Sequence, residues 1–431
     1  MKCVSPYHQH PMRTVARDFP EVVGAISDDG VRALFSQRFL VATEIYDELV
    51  NAACLRIFEE VGREFSAEEE LPEHARPALR YVIEKLTHGG FLGKAEDEGF
   101  LGEKNGGFLR KVSDAGTAGI GPAIPGAGAP LHLLRKYDVA RAPKSASLGG
   151  SSSSSSVESL AAELAETEPG AAVGAEIVSL LAAEAPDFFR GRKSGEEILF
   201  SPARLPLWIR YFSNANILYA INNTLGAETL ARVLPAAGAE VLEIGGGCGS
   251  AAEAALQRLG PFVSRWRFTE LVPTFARRGE RAARAAAAPG TVVEAAKVDM
   301  TKPWEAQGIA PASFDAVYSV NCFHVAPDLG FVLREARAAL KPGGVAVVSE
   351  CVKPGTNPPP SYVDFVFNFL TTFTNVTLDP VLRPNHGFLS PTAWRANFAA
   401  AGFGDVTLVP DVDAVAARYP KFFVGAVVAR R

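Results

Sequence analysis

No stretch of the 431-residue sequence reaches the roughly 18 consecutive apolar residues that a membrane-crossing helix needs. Met1 to Pro20 carries histidines and prolines where a secretion signal has its apolar core. The expectation is a cytoplasmic protein without a membrane partner. Cysteine is scarce: the five, Cys3, Cys54, Cys248, Cys322 and Cys351, form no CxxC or CxxH pair, which leaves no basis for a disulfide framework or a structural zinc site. Charge of either sign is not in excess. A net charge of −5 gives no sequence-wide electrostatic footprint for nucleic acid, so the expected partner is a small molecule.

What is present divides into four parts. Residues 1–140 begin with helical periodicity (Phe35, Leu40, Ile45, Leu49, Cys54, Ile57) and a further amphipathic helix from Pro77 to Leu86. After His88-Gly89-Gly90, the short apolar pieces Phe91-Leu92-Gly93, Gly99-Phe100-Leu101 and Phe108-Leu109 read as a hairpin, and helix plus hairpin suggests a winged-helix-like unit. Its wing would carry the acidic Glu96-Asp97-Glu98, which repels phosphate, so a homodimerisation role is expected over DNA binding. Residues 141–156, with six consecutive serines, read as a linker, and residues 157–235 as a helical lead-in or cap.

Residues 236–431 alternate buried strands with helices, the texture of an α/β domain with a parallel, Rossmann-like sheet. Strands are expected at Val241–Ile244, Trp266–Thr269, Val292–Val298, Ala316–Val320 and Val345–Ser349. The first leads into Glu243-Ile244-Gly245-Gly246-Gly247-Cys248-Gly249 and the helix Ala251–Leu259. Glycines allow a tight turn and close approach to a ligand, and a helix N-terminus offers free N–H groups. The loop lacks the GxGxxG spacing of a dinucleotide site and reads acidic-x-Gly-x-Gly-x-Gly, which resembles motif I of methyltransferases, a resemblance that implies S-adenosylmethionine as the ligand. Glu270, at the end of the second strand, is placed to take the ribose hydroxyls; Asp299, at the end of the third, the adenine amino group; Met300, the purine face. Glu243, Gly245, Gly247 and Gly249, together with Tyr211 ahead of the domain and Asn321 after the fourth strand, complete the expected cofactor contacts.

The fourth strand runs into Asn321-Cys322-Phe323-His324 and the fifth into Ser349-Glu350. As parallel neighbours about 4.8 Å apart, they would bring His324 and Glu350 together at the edge where this fold binds ligands. An imidazole with a carboxylate on its other nitrogen is a general base with a fixed tautomer. Both residues are therefore assigned to catalysis, with Glu350→Gln expected to be the milder substitution. Further on, Tyr362, Phe365, Phe367, Phe369 and Phe373 crowd one segment, and Arg383 reads as a surface residue.

The run Ser319 to Leu329 with Glu350 resembles the methyltransferase domains of polyketide synthases, as do Glu243 to Gly249, Phe268-Thr269-Glu270 and the lead-in Gly195 to Pro202. The likeness extends from about Ala175 to Pro410, with glutamate at 270 where that family usually has aspartate. It implies a class I fold, S-adenosylmethionine as cofactor, and a His324–Glu350 dyad for C-methylation of a β-ketoacyl thioester. The N-terminal unit is similar instead to the dimerisation domain of small-molecule O-methyltransferases. The expected activity is thus methyl transfer to an O or C nucleophile of a small metabolite. S-methylation of a thioether, which needs no base, and a DNA-binding regulator that senses S-adenosylmethionine are the alternatives.

Overall fold

The computed structural model describes residues 19–61, 65, 70–94, 137–139, 156–355 and 359–431. The acidic wing, the later pieces of the expected hairpin and the six-serine run lie outside these residues, apart from Ser156. Ser156 caps the helix Val157–Thr167 by accepting from Ser159 N. Helices occupy Gln37–Glu60 and Arg76–His88, the latter with proline in its first turn. The first expected hairpin piece is strand β1, Leu92–Lys94, which pairs antiparallel with β2, Tyr137–Val139, a segment beyond the expected turns.

The main sheet contains β3 (Ala239–Glu243), β4 (Val263–Thr269), β5 (Val292–Ala296), β6 (Phe314–Val320), β7 (Leu340–Cys351), β8 (Gly404–Val409) and β9 (Val424–Arg430). Its order is β5-β4-β3-β6-β7-β9-β8, parallel from β5 to β7. The five expected strands are all present; β9 lies between β7 and the edge strand β8, antiparallel to both, and makes the sheet mixed. Alternate residues of one strand point to opposite faces. Val241, Val345 and Val347 accordingly enter one apolar core, with the helices Ile217–Val233 and Ser250–Leu259. Leu242, Ala346 and Val348 enter the other, with Leu329–Ala339. Both faces are covered, as a parallel sheet requires.

The second core does not stop at the domain expected to begin at residue 236. It runs on through Ala172–Phe189 into Gln37–Glu60 and Arg76–His88, so these helices bury their apolar residues against the same chain. Tyr81 Oη donates to Ser361 O at 2.8 Å. An ion cluster around the buried Asp47 and Lys85 closes the contact: Lys85 Nζ lies 2.5 Å from Asp47 Oδ1, and the half-buried Lys421 places its Nζ 2.9 Å from Asp47 Oδ2 and 2.8 Å from Glu44. Burial alone raises the Asp47 pKa, but the charges of Lys85 and Lys421 outweigh it and hold the carboxyl below its usual range. Asp47→Ala strands Lys85 without its partner and is expected to lower the unfolding free energy by about 3–5 kcal/mol, measurable by urea denaturation. Because the folded pKa is the depressed one, the contribution is present above the unfolded value of about 3.9 and disappears as pH falls through the folded value.

Candidate active site

The glycine loop opens from β3. Gly246 N donates to Thr269 O at 2.9 Å, and Gly247 N to Glu270 Oε2, also at 2.9 Å, which joins the loop to the end of β4. Gly249 has φ +88, and a Cβ there would lie 2.7 Å from Gly279 Cα; helix Ser250–Leu259 thus packs on Pro273–Ala286 through bare backbone. Gly247 has φ +55 and nothing within 4 Å of where its Cβ would stand. The space belongs to a cavity of about 270 Å³ lined by Gly245, Gly247, Glu270, Asn321, His324, Tyr211 and aromatic rings. Glu270 is buried, and its Oε1 accepts from Val272 N at 2.8 Å; each of its oxygens retains capacity to accept another hydrogen bond.

The expected cofactor residues separate here into two groups. Tyr211, Gly245, Gly247, Glu270 and Asn321 line the cavity; Glu243, Gly249, Asp299 and Met300 are not among its lining. Glu243 lies beneath the loop, fully buried, its Oε2 accepting from Trp266 Nε1 at 2.8 Å, and burial pushes its pKa up to about 8. Asp299 Oδ1 accepts from Thr301 N at 3.0 Å, and Oδ2 lies 3.1 Å from Lys302 Nζ. Met300 Sδ is 3.8 Å from Cys322 Sγ.

β6 and β7 are parallel neighbours with Val320 opposite Ser349, so the two chain segments that follow meet. His324 Nδ1 lies 2.7 Å from Glu350 Oε2, and Cys322 N donates to Glu350 Oε1 at 3.1 Å. His324 N also points at that oxygen, at 3.4 Å. The pair is buried, Glu350 completely, with Phe388 4.5 Å and Phe373 5.8 Å from the imidazole. One carboxylate therefore fixes both the ring and its backbone. His324 itself lines the cavity.

Arg383 corrects the sequence reading. It is only 3% exposed, and its guanidinium donates to Ala326 O at 2.6 Å and to His324 O, clasping the turn that carries the imidazole. Burial pulls its pKa down to about 10, against the opposing charge of Glu350. No sequence signal marks it, because a single arginine in an irregular segment looks like any surface cation. Among the crowded aromatics, Phe367 and Phe373 face the cavity, whereas Tyr362, Phe365 and Phe369 are core. Tyr219, Phe275 and Phe388 line the cavity without having been expected to.

A family model described as a methyltransferase domain matches residues 242–346, the glycine loop through β7. Those residues form a class I methyltransferase domain. Its cofactor is S-adenosylmethionine, and the site suits that ligand: the open space over Gly247 and the Glu270 carboxylate beside it make a cradle for a nucleoside. The chain is 32% identical over 171 residues to the lovastatin diketide synthase lovF of Aspergillus terreus, covering 39% of this chain and 6% of that protein. It is 24% identical over 245 residues to the polyketide synthase ThaQ of Burkholderia thailandensis, covering 54% and 11%. The chain thus spans a small fraction of the curated relatives it matches. Among solved structures, the citrinin polyketide synthase CMeT domain aligns with TM-score 0.65 at 18% identity, over 97% of each chain. The DszA carbon methyltransferase aligns with 0.64 at 17%, over 98% of each. These likenesses extend the shared fold to the N-terminal helices and show that the methyltransferase domain resembles the polyketide synthase type.

Proposed function

We propose that the chain methylates an oxygen or carbon nucleophile of a small metabolite with His324 as general base, and that the acceptor is the carbon between the carbonyls of a β-ketoacyl thioester. The observation that carries this is the buried 2.7 Å contact between His324 Nδ1 and Glu350, with the imidazole at the cavity wall beside the glycine loop. S-adenosylmethionine supplies an electrophilic methyl group whose bonding electrons stay with sulfur. The acceptor must then offer an electron pair, and a C–H or O–H acceptor must first lose a proton. His324 is held to receive it: Glu350 keeps the Nδ1 proton in place, and Nε2 is the remaining basic nitrogen. Phe367, Phe373 and Phe388 dry the site, which strengthens the dyad's electrostatics. A thioether has no proton to give and would leave the dyad without work. The names and titles of the polyketide synthase relatives and neighbours favour carbon over oxygen.

The test is incubation with methyl-labelled S-adenosylmethionine and a β-ketoacyl thioester, followed by mass spectrometry. The expected result is label on the carbon between the carbonyls. Label on oxygen, or no label on the thioester, would overturn the carbon assignment.

A further inference from the structure

We infer that Asn321 is the group that holds the acceptor's carbonyl oxygen while His324 takes its proton, an assignment that rests on the β-ketoacyl reading. Asn321 follows β6, three residues before His324, with φ +48, a region uncommon for side-chain-bearing residues and most tolerated by asparagine and its like. Its Oδ1 accepts from Cys351 N at 3.2 Å and from Asn222 Nδ2 at 3.1 Å. A main-chain N–H only donates, so the amide oxygen, not the nitrogen, must face Cys351, and the orientation follows from chemistry. Cys351 adjoins Glu350, so the tie is anchored on the strand that orients the base. With the oxygen committed on that side, the Nδ2 protons are directed away from it. No protein group among the described residues accepts from Nδ2, and Asn321 shares the cavity wall with His324.

Loss of the acceptor's proton breaks a C–H bond; the proton passes to His324 Nε2, and the electron pair delocalises onto the carbonyl oxygen as an enolate. An amide donor fixed in advance where that charge develops lowers the barrier without reorganising. Asn321 then belongs with the chemistry of the acceptor, whereas its position in the sequence alone suggests a cofactor contact.

Proton exchange separates these roles. The full chain is incubated in D2O with S-adenosylhomocysteine and a 3-ketobutyryl N-acetylcysteamine thioester, and loss of the protons between the carbonyls is followed by NMR above the buffer rate. Asn321→Asp keeps an oxygen for Cys351 N and Asn222 but has no donor; Asn321→Gly suits the positive φ and removes the amide. Both are expected to slow exchange by about 10² to 10³-fold with calorimetric affinity for S-adenosylhomocysteine unchanged. Exchange at the unaltered rate in either variant overturns the assignment. So does an affinity loss that parallels the rate loss, which would return Asn321 to the cofactor. If the unaltered chain promotes no exchange, the β-ketoacyl reading itself fails; if it exchanges and the variants keep pace, only the role of Asn321 does.

Discussion

His324→Ala is expected to lower turnover by about 10² to 10⁴-fold while calorimetry finds cofactor affinity nearly unchanged. On the proposed function the imidazole is the base, and the glycine loop and Glu270, proposed to receive the cofactor, are joined to each other without it. The structure also changes what Glu350→Gln should do. From the sequence, glutamine looks mild because it keeps the shape of glutamate. In the fold, Cys322 N and His324 N both point at Oε1, so the glutamine oxygen must stay there and its NH2 must face His324 Nδ1. The ring then accepts at Nδ1 and carries its proton on Nε2, the wrong tautomer for a base. Glu350→Gln is therefore expected to approach the loss seen in His324→Ala, and the double variant to be little worse than either. Turnover near the unaltered level in His324→Ala would sink the base assignment.

Gly247→Phe is expected to eliminate measurable S-adenosylmethionine binding. A side chain at Gly247 enters the cavity beside Glu270 and meets no protein atom within 4 Å of its Cβ. The fold should tolerate the change apart from about 1–3 kcal/mol for a left-handed backbone bearing a side chain. Calorimetry and a thermal melt together make the check: a folded variant that still binds with unaltered affinity would mean that the glycine loop is only a turn.

What the sequence revealed was local. The five parallel strands, the loop from Glu243 to Gly249 and the meeting of His324 with Glu350 each follow from an apolar strand ending in polar residues, plus the rule that such strands lie side by side. What it hid depends on contacts distant in the chain. β9 is apolar on both faces and shows no alternation, and only its pairing with β7 and β8 reveals it as a strand. Gln37–Glu60 looked like part of a separate unit because nothing in its own residues says that Lys421 and Tyr362 cover it. Arg383 reaches its carbonyl partners 57 and 59 residues away, through irregular chain. Glu243, in the most legible motif of all, is a buried partner of Trp266 because both strands carry their side chains to the same face.

The position of β9 governs when this molecule can finish folding. Gly425 pairs with Glu350, and Lys421 reaches back 377 residues to Glu44. Contacts of such span form slowly, and synthesis delivers the N-terminal helices long before their cover. A chain halted before Val424 would lack the antiparallel partner of β7 and leave an open strand edge there. Until β9 is made, that edge is a template for pairing with other chains.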